Sequence, residues 1–290
     1  MDATHTQDVG AAAGRRRPPP VTGLLMACHP VPAAAVTLLT TALAASAGQD
    51  ARTCLLIAAT VLAGQLSVGW CNDAVDAVRD RAVGRHDKPV ASGAVGAPAV
   101  RAASLVALAL TVPLSLACGA LAGSVHLVAV AAAWAYNLGV KATALSWLPY
   151  AVAFAALPAF VALGLPGSPW PAWWAVAAGA LLGVGAHLGN VLPDIAADLE
   201  TGVRGWPQRL GPAKARLLMP LPLLLASLLL ALAGPEPLGV AGAVALAAVG
   251  ATTPVVVVVG RRHPRVPFLA SIAVAGVDVA LLVWRGAALG

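Results

Sequence analysis

The feature that most constrains the fold is a succession of apolar stretches, each about as long as a membrane-spanning helix. The 290-residue chain is 59% apolar, only 10% of its residues are charged, and its mean hydropathy is +0.84. An α-helix needs about 20 apolar residues to cross a bilayer. Nine such stretches lie at about residues 22 to 47, 52 to 72, 98 to 118, 123 to 140, 143 to 164, 172 to 192, 213 to 233, 238 to 260 and 266 to 286. The sequence therefore predicts an all-α polytopic membrane protein.

The basic residues predict how this bundle is oriented. If the N-terminus is cytoplasmic, 16 of the 18 Lys and Arg residues lie in cytoplasmic segments or their flanks, and only Arg52 and Arg285 lie outside. The positive-inside rule then places the C-terminus outside the plasma membrane. Because these charges occupy separate short loops in contact with membrane lipid, they do not indicate nucleic-acid binding. We expect a disordered cytoplasmic tail over residues 1–20 and a single transmembrane domain over residues 21–290.

Four polar residues recur at helical spacing where the second apolar stretch ends. Asn72, Asp73, Asp76 and Asp80 fall within about 100° of one another on a helix of 3.6 residues per turn. Three like charges on one face repel one another, so a compensating cation is expected. Oxygen ligands without interleaved Cys or His favour Mg²⁺, which typically bridges one or two carboxylates to substrate phosphates. The alternative is a solvated acidic helix end.

A second segment repeats this pattern 118 residues later. The matched pairs are Asn72 and Asn190, Asp76 and Asp194, Asp80 and Asp198, Gly84 and Gly202, and Pro89 and Pro207. Five matches at one offset indicate an internal duplication, with motifs at 72–89 and 190–207. Two facing carboxylate walls of this kind would hold two or more Mg²⁺ ions across one diphosphate.

These motifs resemble those of the UbiA superfamily of intramembrane prenyltransferases. The first reads N-D-x-x-D-x-x-x-D followed by K-P-V-A-S-G, and the second reads D-x-x-x-D-x-x-x-G. The resemblance extends from Cys28-His29-Pro30 through Tyr136-Asn137 and Lys141 to the second motif. It implies about nine helices around a central cavity that opens to the cytoplasm. It also implies Mg²⁺-dependent chemistry on a prenyl diphosphate.

We assign candidate roles to the polar residues as follows. The candidate metal ligands are Asn72, Asp73, Asp76, Asp80, Asn190, Asp194 and Asp198. The candidate substrate-binding residues are Asn72, Arg85, Lys88, Tyr136, Lys141, Asn190 and Arg204. The candidate catalytic residues are Asp76, Asp80, Asp194, Asp198, Lys141 and His187.

Two of these assignments have a structural alternative. Lys141 is expected to clamp the diphosphate, although positive-inside placement also explains a single basic residue. His187 lies on the face of the second motif, where it would accept a proton or would be an ordinary hydrogen-bonded helix histidine. Asp278 stands alone in the ninth stretch, where an ionisable group is costly unless it is paired, and the sequence names no partner.

The predicted activity is transfer of a prenyl group from a prenyl diphosphate to a small aromatic or other electron-rich, lipophilic acceptor. Two alternatives remain open: a UbiA-type terpene cyclase, which needs no acceptor, and a divalent-cation transporter. A transporter favours acids near the bilayer midplane, whereas these motifs lie at helix ends. A cyclase is expected to shield successive cations with aromatic faces, and this chain has only 13 aromatic residues, which favours transfer.

Overall fold

The computed structural model describes residues 20–85, 87–233 and 239–285, and these ranges are helical without any β-strand. Residues 1–19 of the predicted tail lie outside them. The helices are α1 (Pro20–Ala27), α2 (Pro30–Ser46), α3 (Ala51–Ala82), α4 (Ala97–Ala117), α5 (Ala120–Leu138), α6 (Leu148–Leu163), α7 (Trp173–Val191), α8 (Ile195–Glu200), α9 (Trp206–Leu210), α10 (Pro212–Leu218), α11 (Pro220–Leu232), α12 (Val240–Val258) and α13 (Val266–Arg285). Short 3-10 turns cover Val140–Ala142, Leu192–Asp194 and Val259–Arg261.

The apolar helices confirm an integral membrane protein. Six helices in the described part of the chain are long and apolar enough to cross a membrane, and α1 with α2 forms a bent seventh candidate. Two shorter apolar helices, Leu148–Leu163 and Val266–Leu282, coincide with the fifth and ninth predicted stretches. The fifth is shorter than predicted because residues 143–147 form turns. The all-α membrane fold is thus confirmed, whereas helix length and composition do not confirm the count of nine spans.

The long helices form a closed ring. From α2 to α7, and from α11 to α13, each packs against the next long helix along the chain, and α7 packs against α11. Helix α13 then returns to pack against α2, so the first and last spans meet. Buried apolar side chains fill the contacts between neighbouring helices, while many large apolar side chains, including Leu38, Leu55 and Leu105, are exposed on the outside. An apolar exterior is what a bilayer solvates. The ring leaves a cavity at its centre.

The first span is broken rather than continuous. Helices α1 and α2 meet at a bend of 61° around His29, whose backbone is left-handed with φ of 56°. Pro30 follows, and a residue that precedes proline is disfavoured in the right-handed helical region. The sequence Cys28-His29-Pro30 therefore ends α1 and aims the His29 side chain toward the centre of the bundle, where it contributes to the cavity wall.

Glycines bring the helices around the cavity close together. A Cβ at Gly69 would lie 2.2 Å from the carbonyl oxygen of Cys28, and one at Gly183 would lie 2.3 Å from that of Tyr150. Small residues at such crossings allow backbones to touch, which is how membrane helices gain packing energy. These contacts fix the His29 bend against α3 and hold α6, which carries Tyr150, against α7.

The two motifs are built differently despite their common spacing. The first lies on α3, which continues past the predicted end of its apolar stretch to Ala82 as one helix. The second is interrupted, because α7 ends at Val191, a 3-10 turn covers Leu192–Asp194, and α8 begins at Ile195. Pro193 lies within this turn, and proline has no backbone N–H to continue a helical ladder. The polar residues of the first motif thus lie on one uninterrupted helix, whereas those of the second lie on both sides of a 3-10 turn.

Candidate active site

A cavity of about 440 Å³ lies at the centre of the ring, and both motifs contribute to its wall. Its lining comes from α2, α3, α5, α6, α7, α8, α9 and α13 and from the segments that connect them. Acidic, amide and basic side chains line the end near the motifs. Small apolar and aromatic side chains, including Ala33, Val36 and Phe154, line the deeper part. One cavity therefore offers a charged compartment next to an apolar one, which suits an amphiphilic ligand.

Three residues of the first motif face this cavity. Asn72, Asp76 and Asp80 all line it, as their helical spacing predicts. Asp76 is the most strongly paired, because the amine of Lys141 contacts one of its carboxylate oxygens and the Arg79 guanidinium lies 2.9 Å from the other. Asp80 is buried without an ion pair among the described residues.

All three residues of the second motif line the same cavity. Asn190 donates from Nδ2 to the Tyr150 hydroxyl at 3.0 Å, and Arg85 donates from Nη1 to the Asp194 carboxylate at 2.8 Å. Asp198 lies on α8, beyond the break in the helix. The tertiary fold thus brings two segments separated by more than a hundred residues to one site, as the two-wall prediction requires.

Basic side chains surround the carboxylates. Arg79, Arg85, Lys88 and Lys141 all line the cavity, so the predicted phosphate partners Arg85, Lys88 and Lys141 lie where a diphosphate would bind. Burial lowers the pKa of Lys141, and the adjacent Asp76 carboxylate opposes that shift by favouring the charged amine. A hydrogen bond to Asp87 raises the pKa of Arg85. The acidic and basic groups pair with each other here, and a diphosphate with its cation would bind between them.

Lys141 owes its position to the loop between α5 and α6. This loop packs against the segment that follows α8, since Trp206 donates its backbone N–H to the Ser146 hydroxyl at 2.9 Å. A Cβ at Gly205 would lie 2.4 Å from the Lys141 carbonyl oxygen, so only glycine permits this approach. Contact between two distant loops therefore aims the Lys141 amine at the first motif.

The structure argues against Asp73 as a metal ligand. Its side chain is buried and does not line the cavity. One carboxylate oxygen accepts hydrogen bonds from His29 Nε2 at 2.9 Å and from Lys88 Nζ at 3.1 Å. The residue at the matching place in the second motif is Val191, which has no ligand atom. Asp73 thus holds two residues of the cavity wall, His29 and Lys88, from behind.

His187 also lies behind the wall rather than in it. It is only 1% exposed and is not among the cavity-lining residues. Its ring contacts those of Tyr136 and Tyr150, with centroids 5.7 Å and 5.0 Å away, and both tyrosines do line the cavity. Its Nε2 lies 3.1 Å from the Ser146 hydroxyl. This placement disfavours the predicted role of His187 as a proton acceptor and favours one in supporting the two tyrosine rings.

Arg204 is the third predicted residue that the structure places elsewhere. It is exposed and does not line the cavity, and its carbonyl oxygen accepts a hydrogen bond from Arg209 Nε at 2.8 Å. This basic residue near the end of the second motif was expected to bind the diphosphate. The turn that follows α8 instead leaves Arg204 at the surface, where positive-inside placement explains its charge.

The sequence assigned no role to several cavity residues, including Arg79, Gln208 and Asn137. Arg79 connects the two motifs, because its guanidinium lies 2.9 Å from Asp76 and 3.8 Å from Asp198. Its spacing three residues after Asp76 is a signal that would have placed it on the motif face. Gln208 donates to Asp198 at 2.7 Å, and Asn137 accepts from Asn72 Nδ2 at 3.1 Å, which leaves the Asn72 carbonyl oxygen for other partners. No sequence spacing indicates these last two contacts.

The donor set suits a hard divalent cation that is shared with a ligand. Within residues 20–85, 87–233 and 239–285, no three His, Cys, Asp or Glu side chains are grouped so that they alone would hold a metal ion. The described residues of the two motifs nevertheless present four aspartates and two asparagines to the cavity, and no cysteine or histidine. Mg²⁺ is commonly held by one or two carboxylates together with substrate phosphates. Asn72, Asp76, Asp80, Asn190, Asp194 and Asp198 therefore fit Mg²⁺ bound jointly with a diphosphate.

Comparison with known proteins identifies the family. The sequence model of the UbiA prenyltransferase family matches residues 33–277, which include both motifs and the Lys141 loop. The chain belongs to the UbiA prenyltransferase family. None of the curated protein sequences matches it. Family membership thus rests on the pattern shared across the family rather than on similarity to one characterised member.

Solved structures share the UbiA fold at low sequence identity. The chain resembles a UbiA homologue from Archaeoglobus fulgidus bound to GPP and Mg²⁺, with a TM-score of 0.69 and 16% identity over 91% of this chain and 99% of that one. The same homologue bound to DMAPP and Mg²⁺ gives a TM-score of 0.66 at 15% identity, covering 90% and 99% of the two chains. A structure described for digeranylgeranylglyceryl phosphate synthase in membranes gives 0.59 at 16% identity, covering 93% and 98%.

Proposed function

We propose that this protein transfers a prenyl group, with Mg²⁺, from a prenyl diphosphate to an aromatic or similarly electron-rich acceptor within the membrane. The observation that carries this proposal is the single cavity that joins two aspartate motifs and five Lys and Arg side chains to an apolar, partly aromatic compartment. A diphosphate group would bind in the charged compartment, and a hydrocarbon chain would bind in the apolar one. The bound GPP, DMAPP and Mg²⁺ of the Archaeoglobus fulgidus homologue support the same assignment of ligands.

The charged end of the cavity would bind and activate the leaving group. The aspartates of the two motifs would hold Mg²⁺, which stabilises negative charge that develops on the departing diphosphate. Lys141, Arg79, Arg85 and Lys88 would add their own charges to the diphosphate oxygens. Fixed charges in a cavity that excludes water stabilise such a transition state far more than the same charges in solution.

The apolar end of the cavity would shield the prenyl cation and direct it to the acceptor. As the bond from C1 to the diphosphate oxygen breaks, the electron pair leaves with the diphosphate and C1 becomes cationic. The rings of Tyr136 and Tyr150 meet edge to face at 5.2 Å on the cavity wall, and aromatic faces stabilise a nearby cation by about 0.5 to 2 kcal/mol. The acceptor supplies the electron pair for the new bond and releases a proton, which an aspartate of the wall would accept.

Dependence on an acceptor tests this proposal against the cyclase alternative. Purified protein in lipid nanodiscs is incubated with Mg²⁺ and a C10, C15 or C20 diphosphate, with or without a panel of phenolic acceptors. Diphosphate release and products are measured together. We expect release that requires both Mg²⁺ and an acceptor, with one prenylated product per diphosphate. Efficient conversion of a prenyl diphosphate alone into a cyclic hydrocarbon or alcohol would refute transfer in favour of cyclisation.

A further inference from the structure

His29 is a cavity residue to which the proposed activity assigns no step. It lies at the bend between α1 and α2, its side chain is 35% exposed, and it lines the central cavity. Its backbone is left-handed, with φ of 56°, which is uncommon for a residue other than glycine. Gly69 lets α3 pack against the Cys28 carbonyl, and this contact holds the bend in place. Backbones of this kind persist where their surroundings hold them, and they cluster at ligand sites.

Asp73 determines which nitrogen of the His29 ring is available to a ligand. Nε2 lies 2.9 Å from a carboxylate oxygen of Asp73, and the same oxygen accepts a hydrogen bond from Lys88 Nζ at 3.1 Å. Because a carboxylate can only accept hydrogen bonds, Nε2 carries the hydrogen that joins it to Asp73. In the neutral ring the lone pair is then on Nδ1, which has no hydrogen-bond partner among the described residues. His29 therefore offers the cavity a hydrogen-bond acceptor.

The chemistry of this nitrogen decides which of the ligands it suits. Diphosphate oxygens that bind Mg²⁺ have no hydrogen to donate, and neither has a hydrocarbon tail, so neither end of the prenyl diphosphate satisfies Nδ1. A hydroxyl group on the acceptor does satisfy it. The position is also suitable, because Lys88 Nζ lies 3.4 Å from His29 Nε2 and would itself contact the diphosphate. An acceptor bound at His29 would thus lie beside the carbon that leaves the diphosphate.

We propose that His29 binds the acceptor, whose phenolic hydroxyl donates a hydrogen bond to Nδ1. This inference rests on the proposed transfer activity and adds the residue that selects and orients the acceptor. A ring carbon beside the hydroxyl supplies the electron pair for the bond to C1, and the diphosphate leaves with the pair of its own bond to C1. The hydrogen on that ring carbon passes as a proton to an aspartate of the wall. The hydroxyl keeps its hydrogen and becomes a stronger donor while the ring is cationic, so the bond to Nδ1 stabilises the transition state more than the ground state.

Competition between a phenol and its methyl ether tests the proposal. Protein in lipid nanodiscs is given Mg²⁺, one prenyl diphosphate and an equimolar mixture of an accepted phenol and its methyl ether, and the ratio of the two prenylated products is measured. The ether keeps an electron-donating oxygen but has no hydrogen to donate. A site built to bind a hydroxyl rejects an analogue without one. We expect the wild type to favour the phenol by about tenfold or more.

Two substitutions separate the hydrogen bond from the structural role of His29. Leucine has no hydrogen-bond acceptor, whereas asparagine places a carbonyl oxygen close to the position of Nδ1 and also adopts a left-handed backbone readily. Both side chains lose the bond from Nε2 to Asp73. We expect His29→Leu to reduce the preference for the phenol about tenfold, and His29→Asn to keep most of it. The KM for the prenyl diphosphate should change to the same extent in both variants.

Trp70→Phe is the control for the geometry of the bend. It removes the hydrogen bond of 2.8 Å from Trp70 Nε1 to the Leu24 carbonyl, which joins α3 to α1, and Trp70 does not line the cavity. We expect this variant to keep the wild-type product ratio.

Product ratios do not depend on the amount of folded protein, and His29→Ala provides a second variant if the leucine variant cannot be isolated. A wild type that uses phenol and ether equally would overturn the inference, as would an unchanged ratio in the leucine or alanine variant. The same loss of preference in the asparagine variant or in Trp70→Phe as in the leucine variant would also overturn it, since the bend would then be responsible. A wild type without any acceptor-dependent product would instead contradict the proposed function itself.

Discussion

The placement of Asp73 behind the cavity predicts a kinetic signature that differs from that of a metal ligand. In Asp73→Asn the side chain keeps its shape but loses its charge. His29 and Lys88 then lose a charge-assisted partner that now lies 2.9 Å and 3.1 Å from their nitrogen atoms. Both residues line the cavity, so the substitution loosens one basic wall of the diphosphate site. Asp76, Asp80 and the second motif are left unchanged.

The size of the effect follows from the hydrogen bonds that are lost. Hydrogen bonds to charged groups contribute about 1.5 to 3 kcal/mol each. Because asparagine still accepts one neutral hydrogen bond, we expect the lower part of that range, which corresponds to roughly a tenfold increase in KM for the prenyl diphosphate. The Mg²⁺ concentration for half-maximal rate should stay the same, since no ligand is removed.

Two titrations measure these quantities. Initial rates of diphosphate release are recorded against prenyl diphosphate at saturating Mg²⁺, and against Mg²⁺ at saturating prenyl diphosphate. Asp76→Asn is the matched comparison on the same helix, and there we expect the Mg²⁺ requirement to rise sharply or activity to vanish. Thermal unfolding of each variant controls for misfolding. If Asp73→Asn shifts the Mg²⁺ titration as Asp76→Asn does, Asp73 is a metal ligand after all and the positioning argument is wrong.

Three further predictions concern the second motif, the topology and the packing. Asp194→Asn should lower kcat at least about a hundredfold without loss of folded protein, and retention of most activity at ordinary Mg²⁺ would refute the two-wall site. A cysteine at exposed Ser92 should be labelled only from the cytoplasmic side and one at exposed Ser46 only from outside, and the reverse pattern would invert the orientation. Gly69→Ala should lower stability by about 1 to 3 kcal/mol, because its Cβ would meet the Cys28 carbonyl oxygen at 2.2 Å, whereas Gly250→Ala, with nothing within 4 Å, should be neutral or stabilising in thermal unfolding.

The sequence by itself was sufficient for the membrane fold and for the resemblance to the UbiA family. The length of an apolar stretch and the positive-inside rule reflect how each segment of the chain interacts with the bilayer. Both can therefore be applied without knowing which helices contact one another. The spacing of Asn72, Asp76 and Asp80 is equally local, since the 3.6-residue period alone puts them on one face. The constant offset between the motifs then predicted a second set of candidate ligands, and all three of its residues line the cavity.

Only the tertiary structure decided which polar residues face the cavity. Helical periodicity places Asp73 and Asp80 within about 20° of each other, yet Asp80 lines the cavity and Asp73 lies against His29 and Lys88. The helical period gives the direction in which a side chain points from its own helix. Which residue the side chain contacts depends on which neighbouring helix or loop packs against that side of the helix. His187 is covered by Ser146 and two tyrosines, and Arg79 reaches across to Asp198. Such contacts arise when separate helices pack, so no local pattern in the chain determines them.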